Sequence, residues 1–554
     1  MNSALKSRYD IVIVGGGITG ACIAWDAALR GLRVALLERH DFGAATSANS
    51  LKTVHGGLRY LQDANLGQVR KMVRERKAFL RIAPHLVRPL PFLMPTYRGQ
   101  LKRNKLLLGA ALKLNDLLSL DRNQDVDPTR VLPSGRVLGR DECLALAPGL
   151  DPDALTGAIL WHDAQIQNTE RLLLSFILSA IKHGADAANY VEVTGLLQQD
   201  RRVVGVTAED RMTGQSQQIA ARLVINAAGA WADQLLAGVN GRQRQPRTTQ
   251  SAAINLVTRQ LLPVPALALT SRYRRPPADQ PGEIEPRIII VAPWREHSIV
   301  GTLHLPLRDE PDSAAPGEEL IEQFLAEINH AYPAARLTRQ DVTHVHHGFL
   351  PAADVDAAST VTLLRDEQLV DHAEHGVPGL ITALGVKYTT ARHLAERTVD
   401  LAFRKLQQPS LPCQTHFRPL SGGNVGDWQP FRRQAIAGAA AAGFSEPAAA
   451  HIVDTYGSAY TQLLPYVRED PCWAETIGPH LPVTRAEVLH AVRHEMAQTL
   501  SDVVCRRTEL GSAGPPPLQA AEQCAALMAS ELGWERQRLT REIDQLYETY
   551  APLY

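Results

Sequence analysis

The sequence has few cysteines, and their spacing is not that of a metal or disulfide framework. There are six cysteines in 554 residues, and no C-x-x-C pair occurs. Zinc ribbons and small disulfide-linked domains both depend on closely spaced cysteines, so neither class is expected here. No metal site is predicted. At roughly 150 residues per domain, the length predicts two to four domains.

Excess charge and long apolar runs are also lacking. Lys and Arg total 58, as do Asp and Glu, which argues against a generic nucleic-acid-binding protein because such proteins usually carry a basic excess. No apolar stretch reaches the roughly 18 residues of a membrane-spanning helix. A strand-like segment begins within about ten residues of the start and leaves no room for a signal peptide. These features predict a cytoplasmic protein.

The N-terminal segment has the pattern of a nucleotide-binding unit. A β-branched run at residues 10–14 is followed by Gly15-Gly16-Gly17-Ile18-Thr19-Gly20, a helical segment and a second strand at residues 33–37. In this order Gly15 permits a tight turn, Gly17 lets the backbone approach a pyrophosphate, and Gly20 lets helix and strand pack closely. Glu38 follows the second strand, where a carboxylate can accept hydrogen bonds from ribose hydroxyls. A purely structural glycine turn is the alternative.

A second segment indicates which dinucleotide is bound. Residues 223–231 read LVINAAGAW, a strand that ends in small residues around Gly229. Together with the N-terminal motif, this resembles flavoproteins of the glycine and D-amino-acid oxidase type. The resemblance implies FAD as the cofactor, because NAD dehydrogenases lack the second segment. A plain buried strand is the alternative interpretation of these residues.

A longer motif narrows the resemblance. Residues 46–61 read TSANSLKTVHGGLRYL, which resembles the stretch T-S-x-x-S-x-K-x-x-H-G-G-L-R-Y-L of the FAD-dependent glycerol-3-phosphate dehydrogenase and oxidase family. In that family the stretch runs under the flavin and into the substrate pocket. The resemblance implies flavin contacts from Thr46, Ser47, Ser50, His55, Gly56 and Gly57. Arg59 offers a guanidinium fork for a phosphate or carboxylate.

Further matches extend toward the C-terminus. Residues 364–366 and 385–390 resemble the family's pocket segment and its last flavin-binding turn, and residues 488–508 resemble its C-terminal helical domain. Arg365 and Lys387 match two basic pocket residues. The implied cofactor contacts in the last turn are Gly385, Lys387, Tyr388 and Thr389.

Three departures concern the substrate. Leu350 stands where the family usually has the arginine of the motif G-x-R-P. The family's motif K-G-x-H, which begins a strand, is replaced within residues 251–256. The family's G-T-T-D turn reads Gly301-Thr302-Leu303-His304 here. Loss of one charged hydrogen bond to a phosphate costs about 1.5–3 kcal/mol. Either the remaining basic residues suffice, or the substrate is a different hydroxylated anion.

The predicted fold is α/β. A Rossmann-like FAD-binding domain is expected from residues 8–96, 150–240 and 350–405, with an α+β substrate domain built on an antiparallel sheet inserted at residues 241–349. Residues 97–149 are predicted to form a cap or connection, and residues 430–554 an all-α C-terminal domain.

The implied reaction is removal of hydride from a carbinol carbon to the flavin, most simply oxidation of sn-glycerol 3-phosphate to dihydroxyacetone phosphate. Arg59, Arg365 and Lys387 are predicted to hold the anionic, hydroxylated substrate, and they argue against an amine substrate. A histidine near neutral pKa suits removal of the hydroxyl proton. The candidates are His55, and His346 or His347; His55 and His347 are the predicted catalytic residues.

The partners implied by the resemblance are a quinone or other electron acceptor and the membrane that contains it. Residues 98–118 mix basic residues with leucines, a pattern typical of a helix that lies on an anionic bilayer. Peripheral attachment to the inner face of the cell membrane is the corresponding expectation, with the edge of a core helix as the alternative. An oxidase that uses oxygen also stays open, as does a homodimer.

Overall fold

The computed structural model describes residues 5–99, 105–237, 249–273, 287–307, 317–355 and 361–550. The strands within these ranges are β1 (Arg8–Val14), β2 (Val34–Leu37), β3 (Thr53–Val54), β4 (Val87–Tyr97), β5 (Arg136–Leu138), β6 (Leu155–Ile166), β7 (Asp186–Ala188), β8 (Val191–Gln199), β9 (Arg202–Asp210), β10 (Ser216–Asn226), β11 (Gln250–Arg259), β12 (Ala266–Ser271), β13 (Arg287–Trp294), β14 (His297–Pro306), β15 (Val342–Val355), β16 (Val361–Leu363), β17 (Gln368–Asp371) and β18 (Leu380–Leu384).

The helices of the same ranges surround two sheets. They are α1 (Ile18–Leu29), α2 (Leu66–Ile82), α3 (Lys105–Leu118), α4 (Arg140–Leu146), α5 (Thr169–Lys182), α6 (Ala232–Ala237), α7 (Glu318–Ala331), α8 (Ala391–Leu406), α9 (Trp428–Ala441), α10 (Glu446–Tyr456), α11 (Leu464–Glu469), α12 (Arg485–His494), α13 (Leu500–Asp502), α14 (Leu518–Leu532) and α15 (Arg536–Glu548).

The first sheet has the order β17-β18-β10-β1-β2-β7. Strands β18, β10, β1, β2 and β7 run parallel, while β8 and β9 extend β10 as an antiparallel meander. Residues of β1 are buried on both faces, as expected of a central parallel strand covered by helices. Trp25 of α1, Phe176 of α5 and Phe403 of α8 pack in one apolar core against this sheet. The predicted Rossmann-like unit is confirmed.

The second sheet extends beyond the range predicted for the substrate domain. Its order is β16-β15-β11-β14-β13-β12-β4-β6-β3, with β5 paired to β6. Strands β4 and β6 come from ranges expected in the FAD-binding domain, and they join this sheet because β4 pairs with β12 and β6 pairs along β4. Residues 241–349 therefore supply the centre of the sheet but not the side formed by β4, β6 and β3. Within residues 97–149, α3 and α4 both lie against β6.

The C-terminal part is helical from α9 to α15, as predicted. Its apolar core includes Val488, Leu500 and Met528. Buried ion pairs fasten it to the first sheet's domain: Asp41 accepts hydrogen bonds from Arg506 and Arg507.

Candidate active site

A cavity of about 2240 Å³ is lined by residues of both sheets. The first sheet contributes the carboxyl ends of β1, β2, β10 and β18, and the second contributes residues of β11, β14 and β15. Ligands of open α/β sheets bind at the carboxyl ends of the strands. Of the predicted site residues, Gly20 and Gly56 do not line the cavity; those that do are Gly15, Gly17, Glu38, Thr46, Ser47, Ser50, His55, Gly57, Arg59, Gly229, His347, Arg365, Gly385, Lys387, Tyr388 and Thr389.

The glycine loop between β1 and α1 leaves no room for side chains at two positions. Gly15 has φ +108°, and a Cβ there would lie 2.6 Å from the carbonyl oxygen of Ala227. A Cβ on Gly20 would lie 1.9 Å from the carbonyl oxygen of Gly15. Gly20 therefore acts through helix–strand packing, while Gly15 and Gly17 face the cavity beside the N-terminus of α1. Such a loop admits a pyrophosphate close to the backbone.

Glu38 stabilises this loop from the end of β2. Its carboxylate accepts hydrogen bonds from the backbone N–H of Gly16 at 2.7 Å and of His40 at 2.9 Å. Burial raises the pKa of Glu38, and these two N–H groups oppose the rise. Because Glu38 also lines the cavity, its carboxylate is available to a ribose at the same edge.

Three hydroxyls of the segment that follows β2 bond to protein backbone. The Thr46 hydroxyl donates to the carbonyl oxygen of Phe349 at 3.0 Å and accepts from its N–H at 2.8 Å. Ser47 accepts from the N–H of Ile18 at 3.0 Å, and Ser50 accepts from the N–H of Lys52 at 3.2 Å. These side chains fix the segment against β15 and α1 as well as lining the cavity.

Asp163 on β6 organises the His55–Gly56 turn and was missed by sequence reasoning. It accepts hydrogen bonds from the N–H of Gly56 at 2.6 Å and from Arg76, and it lies 3.9 Å from Nδ1 of His55. Burial alone would raise the pKa of Asp163, but Arg76 and His55 hold it at about 2. The backbone N–H of His55 donates to the hydroxyl of Thr389 at 3.2 Å, which joins this turn to the last predicted flavin-binding turn.

The three predicted anion-binding residues line the same cavity. Lys387 Nζ donates to the carbonyl oxygen of Arg365 at 2.7 Å and lies 5.5 Å from the centre of the Tyr60 ring. Arg365 Nη1 is 3.2 Å from Oδ2 of Asp63. Arg59 is exposed toward the cavity. Two guanidinium groups and one ammonium group thus border the same cavity.

One wall of the cavity comes from β15. His347 packs edge-on against Phe349 with ring centres 4.8 Å apart, and burial lowers its pKa. Leu350 lines the cavity nearby. His346 does not line it: this residue is 2% exposed, and its Nδ1 lies 3.2 Å from the carbonyl oxygen of Ser50.

Four polar residues of β11, β13 and β14 also line the cavity, and sequence reasoning assigned no role to them. The Thr302 hydroxyl donates to Asn255 Oδ1 at 2.7 Å. Arg287 donates to both carboxylate oxygens of Glu327 at 2.6 Å and to the Thr302 carbonyl oxygen at 2.8 Å. Burial, and then the positive charges of Arg287 and Arg59, lower the pKa of His304 to about 4. For Thr302 and His304 the sequence signal was the departure from the family's G-T-T-D turn, and for Asn255 it was the replacement of K-G-x-H within residues 251–256.

Comparisons with known proteins agree with this architecture along the whole chain. The family model described as FAD-dependent oxidoreductase matches residues 10–397, and the model described as the C-terminal domain of alpha-glycerophosphate oxidase matches residues 413–539. The chain is 31% identical to a glycerol-3-phosphate dehydrogenase of Synechocystis over 98% of this chain and 96% of that protein. It is 32% identical to the mouse mitochondrial glycerol-3-phosphate dehydrogenase over 97% of this chain and 72% of that protein.

A solved structure is similar over nearly the full length. The glycerol-3-phosphate dehydrogenase of Bacillus halodurans complexed with FAD superimposes with a TM-score of 0.76 at 26% identity, covering 99% of this chain and 95% of that one. The cavity fits the same cofactor, because the glycine loop excludes side chains where a pyrophosphate would approach and Glu38 faces the neighbouring ribose position. The chain therefore belongs to the FAD-dependent oxidoreductase family and carries the C-terminal domain of the alpha-glycerophosphate oxidases.

Proposed function

We propose that this protein is an FAD-dependent dehydrogenase that oxidises sn-glycerol 3-phosphate to dihydroxyacetone phosphate. The observation that carries the proposal is that Arg59, Arg365 and Lys387 line one cavity with the FAD-binding loop. A phosphate held by these cations would place the adjacent carbinol beside the cofactor. The similarity to glycerol-3-phosphate dehydrogenases along the full length supports the same substrate.

Each group of residues has a distinct task in this reaction. Gly15, Gly17 and the N-terminus of α1 bind the pyrophosphate of FAD, and Glu38 binds its ribose. Bound FAD supplies the acceptor for the hydride of the alcohol. Arg59, Arg365 and Lys387 bind and orient the substrate phosphate. A histidine of the cavity accepts the hydroxyl proton.

The reductive half-reaction tests the proposal directly. The purified holoprotein is mixed anaerobically with glycerol 3-phosphate, and the loss of oxidised-flavin absorbance is followed. We expect complete reduction, and dihydroxyacetone phosphate in amounts equal to the flavin. Glycerol, which lacks the phosphate, should reduce the flavin at least 100-fold more slowly, because two or more charged hydrogen bonds of about 1.5–3 kcal/mol each are lost. A flavin reduced by dithionite but not by glycerol 3-phosphate would refute the substrate.

Leu350→Arg tests the consequence of the leucine in the pocket. If glycerol 3-phosphate is the substrate, the added guanidinium should lower its KM by up to about 100-fold or leave it unchanged, because one charged hydrogen bond contributes about 1.5–3 kcal/mol. Leu350→Met, which keeps the apolar volume, is the matched control and should leave KM unchanged. A marked rise of KM in the arginine variant alone would favour a substrate with a bulkier or less charged group beside Leu350.

We propose a quinone as the electron acceptor, with α3 as the surface that contacts the membrane. Leu108 and Ala111 of α3 line the cavity, while Leu106 and Leu117 of the same helix are 87% and 63% exposed. Exposed leucines on a helix that borders the cavity fit a bilayer and the apolar acceptor dissolved in it. Part of the predicted segment, residues 100–104, lies outside the described residues. No helix of the described chain is long and apolar enough to cross a bilayer.

Vesicle binding tests this surface. We expect the protein to sediment with vesicles that contain anionic lipid, and the double variant Leu106→Glu/Leu117→Glu to lose at least tenfold in partitioning, since each change removes an apolar contact and adds charge repulsion. Leu411→Glu, at another exposed leucine, should bind like the unchanged protein.

Peroxide formed in proportion to turnover in air would contradict the quinone proposal and indicate an oxidase. That the protein forms a homodimer stays a prediction, and sedimentation velocity would measure its oligomeric state.

A further inference from the structure

An irregularity in the second sheet shapes the substrate side of the cavity. Along the β11–β14 pair, Ile254 is opposite Leu303 whereas Asn255 is opposite Gly301, so Thr302 is an extra residue on β14. Such bulges redirect neighbouring side chains and are common beside active sites. Thr302 and His304, on either side of buried Leu303, both line the cavity.

Several hydrogen bonds hold the bulge in place. Arg287, fixed by two hydrogen bonds to Glu327, donates to the carbonyl oxygen of Thr302. The Thr302 hydroxyl donates to Asn255, a residue that is itself buried. Each partner lies on a different element, namely β13, α7 and β11. A side chain on this segment is therefore held in a defined position, as a catalytic group requires.

His304 has the contacts expected of a base aimed at a ligand. Its Nδ1 lies 3.4 Å from the hydroxyl of Ser251, and within the described chain no protein partner is found for Nε2. Ser251 is buried on β11 and can fix the ring by this contact. The charged groups that act on the ring are Arg287, whose charge Glu327 balances, and Arg59. An imidazole that is neutral in the free protein has the lone pair that proton removal needs.

We infer that His304 is the catalytic base that removes the proton from the carbon-2 hydroxyl of the substrate, an inference that rests on the proposed function. In this step the O–H bond breaks and the proton is bound by Nε2 of His304. The electron pair of that bond forms the second bond of the carbonyl group. The hydrogen on carbon 2 is transferred as a hydride, with its two electrons, to the FAD of the holoprotein. The alcohol is thereby oxidised to the ketone, and the cofactor is reduced by two electrons.

Arg59 makes this base responsive to the substrate. In the free protein its positive charge helps to keep the imidazole of His304 unprotonated. A substrate phosphate that pairs with Arg59 offsets the smallest of the three effects that lower the pKa of His304, so binding should raise this pKa while the effect of burial remains,. A base is more effective as its pKa approaches the working pH. The anion that must be bound for specificity would thus also activate the base.

His55 and His347, which also line the cavity, fit this role less well. Nδ1 of His55 lies 3.9 Å from the buried carboxylate of Asp163. The backbone N–H of His55 donates to Thr389, in the predicted flavin-binding turn. His347 packs on Phe349, and burial alone accounts for its lowered pKa. An anion bound to Arg59 would therefore change the proton affinity of His304 more than that of His347.

The experiment uses the FAD-loaded full chain and four variants. His304→Asn and His304→Gln remove the base with similar polarity, His347→Asn removes the competing histidine, and His297→Asn changes a histidine of the same strand that does not line the cavity. The rate of anaerobic flavin reduction by glycerol 3-phosphate is measured from pH 5 to 9. Binding of 3-hydroxypropyl phosphate, which lacks the carbon-2 hydroxyl, is measured by titration calorimetry.

We expect both His304 variants to reduce the flavin at least 100-fold more slowly, within the range for loss of a general base. In the unchanged protein the rate of flavin reduction should fall toward low pH, and the His304 variants should lose this fall. Their affinity for 3-hydroxypropyl phosphate should stay within about threefold of that of the unchanged protein. His297→Asn should match the unchanged protein. A His304 variant that retains both rate and pH profile, or loss of the pH profile in His347→Asn instead, would overturn the inference. If the unchanged protein is not reduced, the proposed function fails, which is a distinguishable result.

Discussion

Replacing Gly20 by alanine is expected to leave the purified protein essentially without FAD. A Cβ at this position would lie 1.9 Å from the carbonyl oxygen of Gly15, well inside van der Waals contact. Neither group can yield alone, because Gly15 is itself fixed at φ +108° against the backbone of Ala227. The α1 helix must move away from β1, and its N-terminus, which we propose binds the pyrophosphate, moves with it. The ratio of flavin to protein should fall at least tenfold.

The matched control is Gly317→Ala at the N-terminal cap of α7. Here φ is −76° and a Cβ meets no atom within 4 Å, so the variant should retain its full flavin content. Circular dichroism separates loss of cofactor from loss of fold, since the second sheet and the C-terminal helices do not depend on the loop. A Gly20→Ala protein that is purified with full FAD would show that the cofactor is not bound at this loop.

The FAD-binding half of the cavity could be predicted because its signals are local. Gly15, Gly17, Gly20 and Glu38 lie in one strand–helix–strand unit whose geometry follows from the order of its residues. Their spacing alone therefore determines where the loop, the helix N-terminus and the carboxylate meet. The hydroxyls of Thr46 and Ser47 were less predictable, since the residue type does not show that they bond to Phe349 and Ile18.

The substrate side could not be predicted in the same way, because pairing between distant strands assembles it. Asn255, Arg287 and His304 come from three strands, and a bulge decides which of their side chains reach the cavity. From the sequence, His304 was only a departure from the G-T-T-D turn. For the same reason β4 and β6 were predicted in the FAD-binding domain, whereas the structure places them in the second sheet. Nothing in either segment shows that they pair with each other and, through β12, extend that sheet.

Replacing Asp41 by alanine is expected to lower the free energy of unfolding by about 3–5 kcal/mol, the usual cost of leaving buried charges without their partner. Asp41 is 1% exposed, and its carboxylate accepts two hydrogen bonds from Arg507 at 2.7 Å and one from Arg506 at 2.5 Å. The variant leaves the guanidinium group of buried Arg507 without its carboxylate partner at the junction with the C-terminal helices, while Arg506 keeps its ion pair with Asp502. Urea unfolding, followed by circular dichroism, measures the change.

Asp141→Ala is the control, because this carboxylate is 98% exposed and lies 3.6 Å from Arg140. Exposed pairs of this kind contribute about 0–1 kcal/mol, so the urea midpoint of Asp141→Ala should hardly move. If Asp41→Ala lowered the urea midpoint no further than Asp141→Ala does, the ion pairs of Asp41 at the junction would not stabilise the assembled domains.

The pH dependence of the Asp41 effect has a definite sign. Burial alone would raise the pKa of this carboxyl, but Arg507 and Arg506 hold the pKa well below its usual range in the folded protein. In the unfolded chain the pKa returns to about 3.9. The folded state thus binds fewer protons, and the stabilisation is complete above that value and is lost as the pH falls below it. The difference in stability between the unchanged protein and Asp41→Asn should therefore shrink as the pH falls from 5 to 3, as urea midpoints at each pH would show. A difference that stayed constant over this range would mean that the carboxylate is not held ionised by the two arginines.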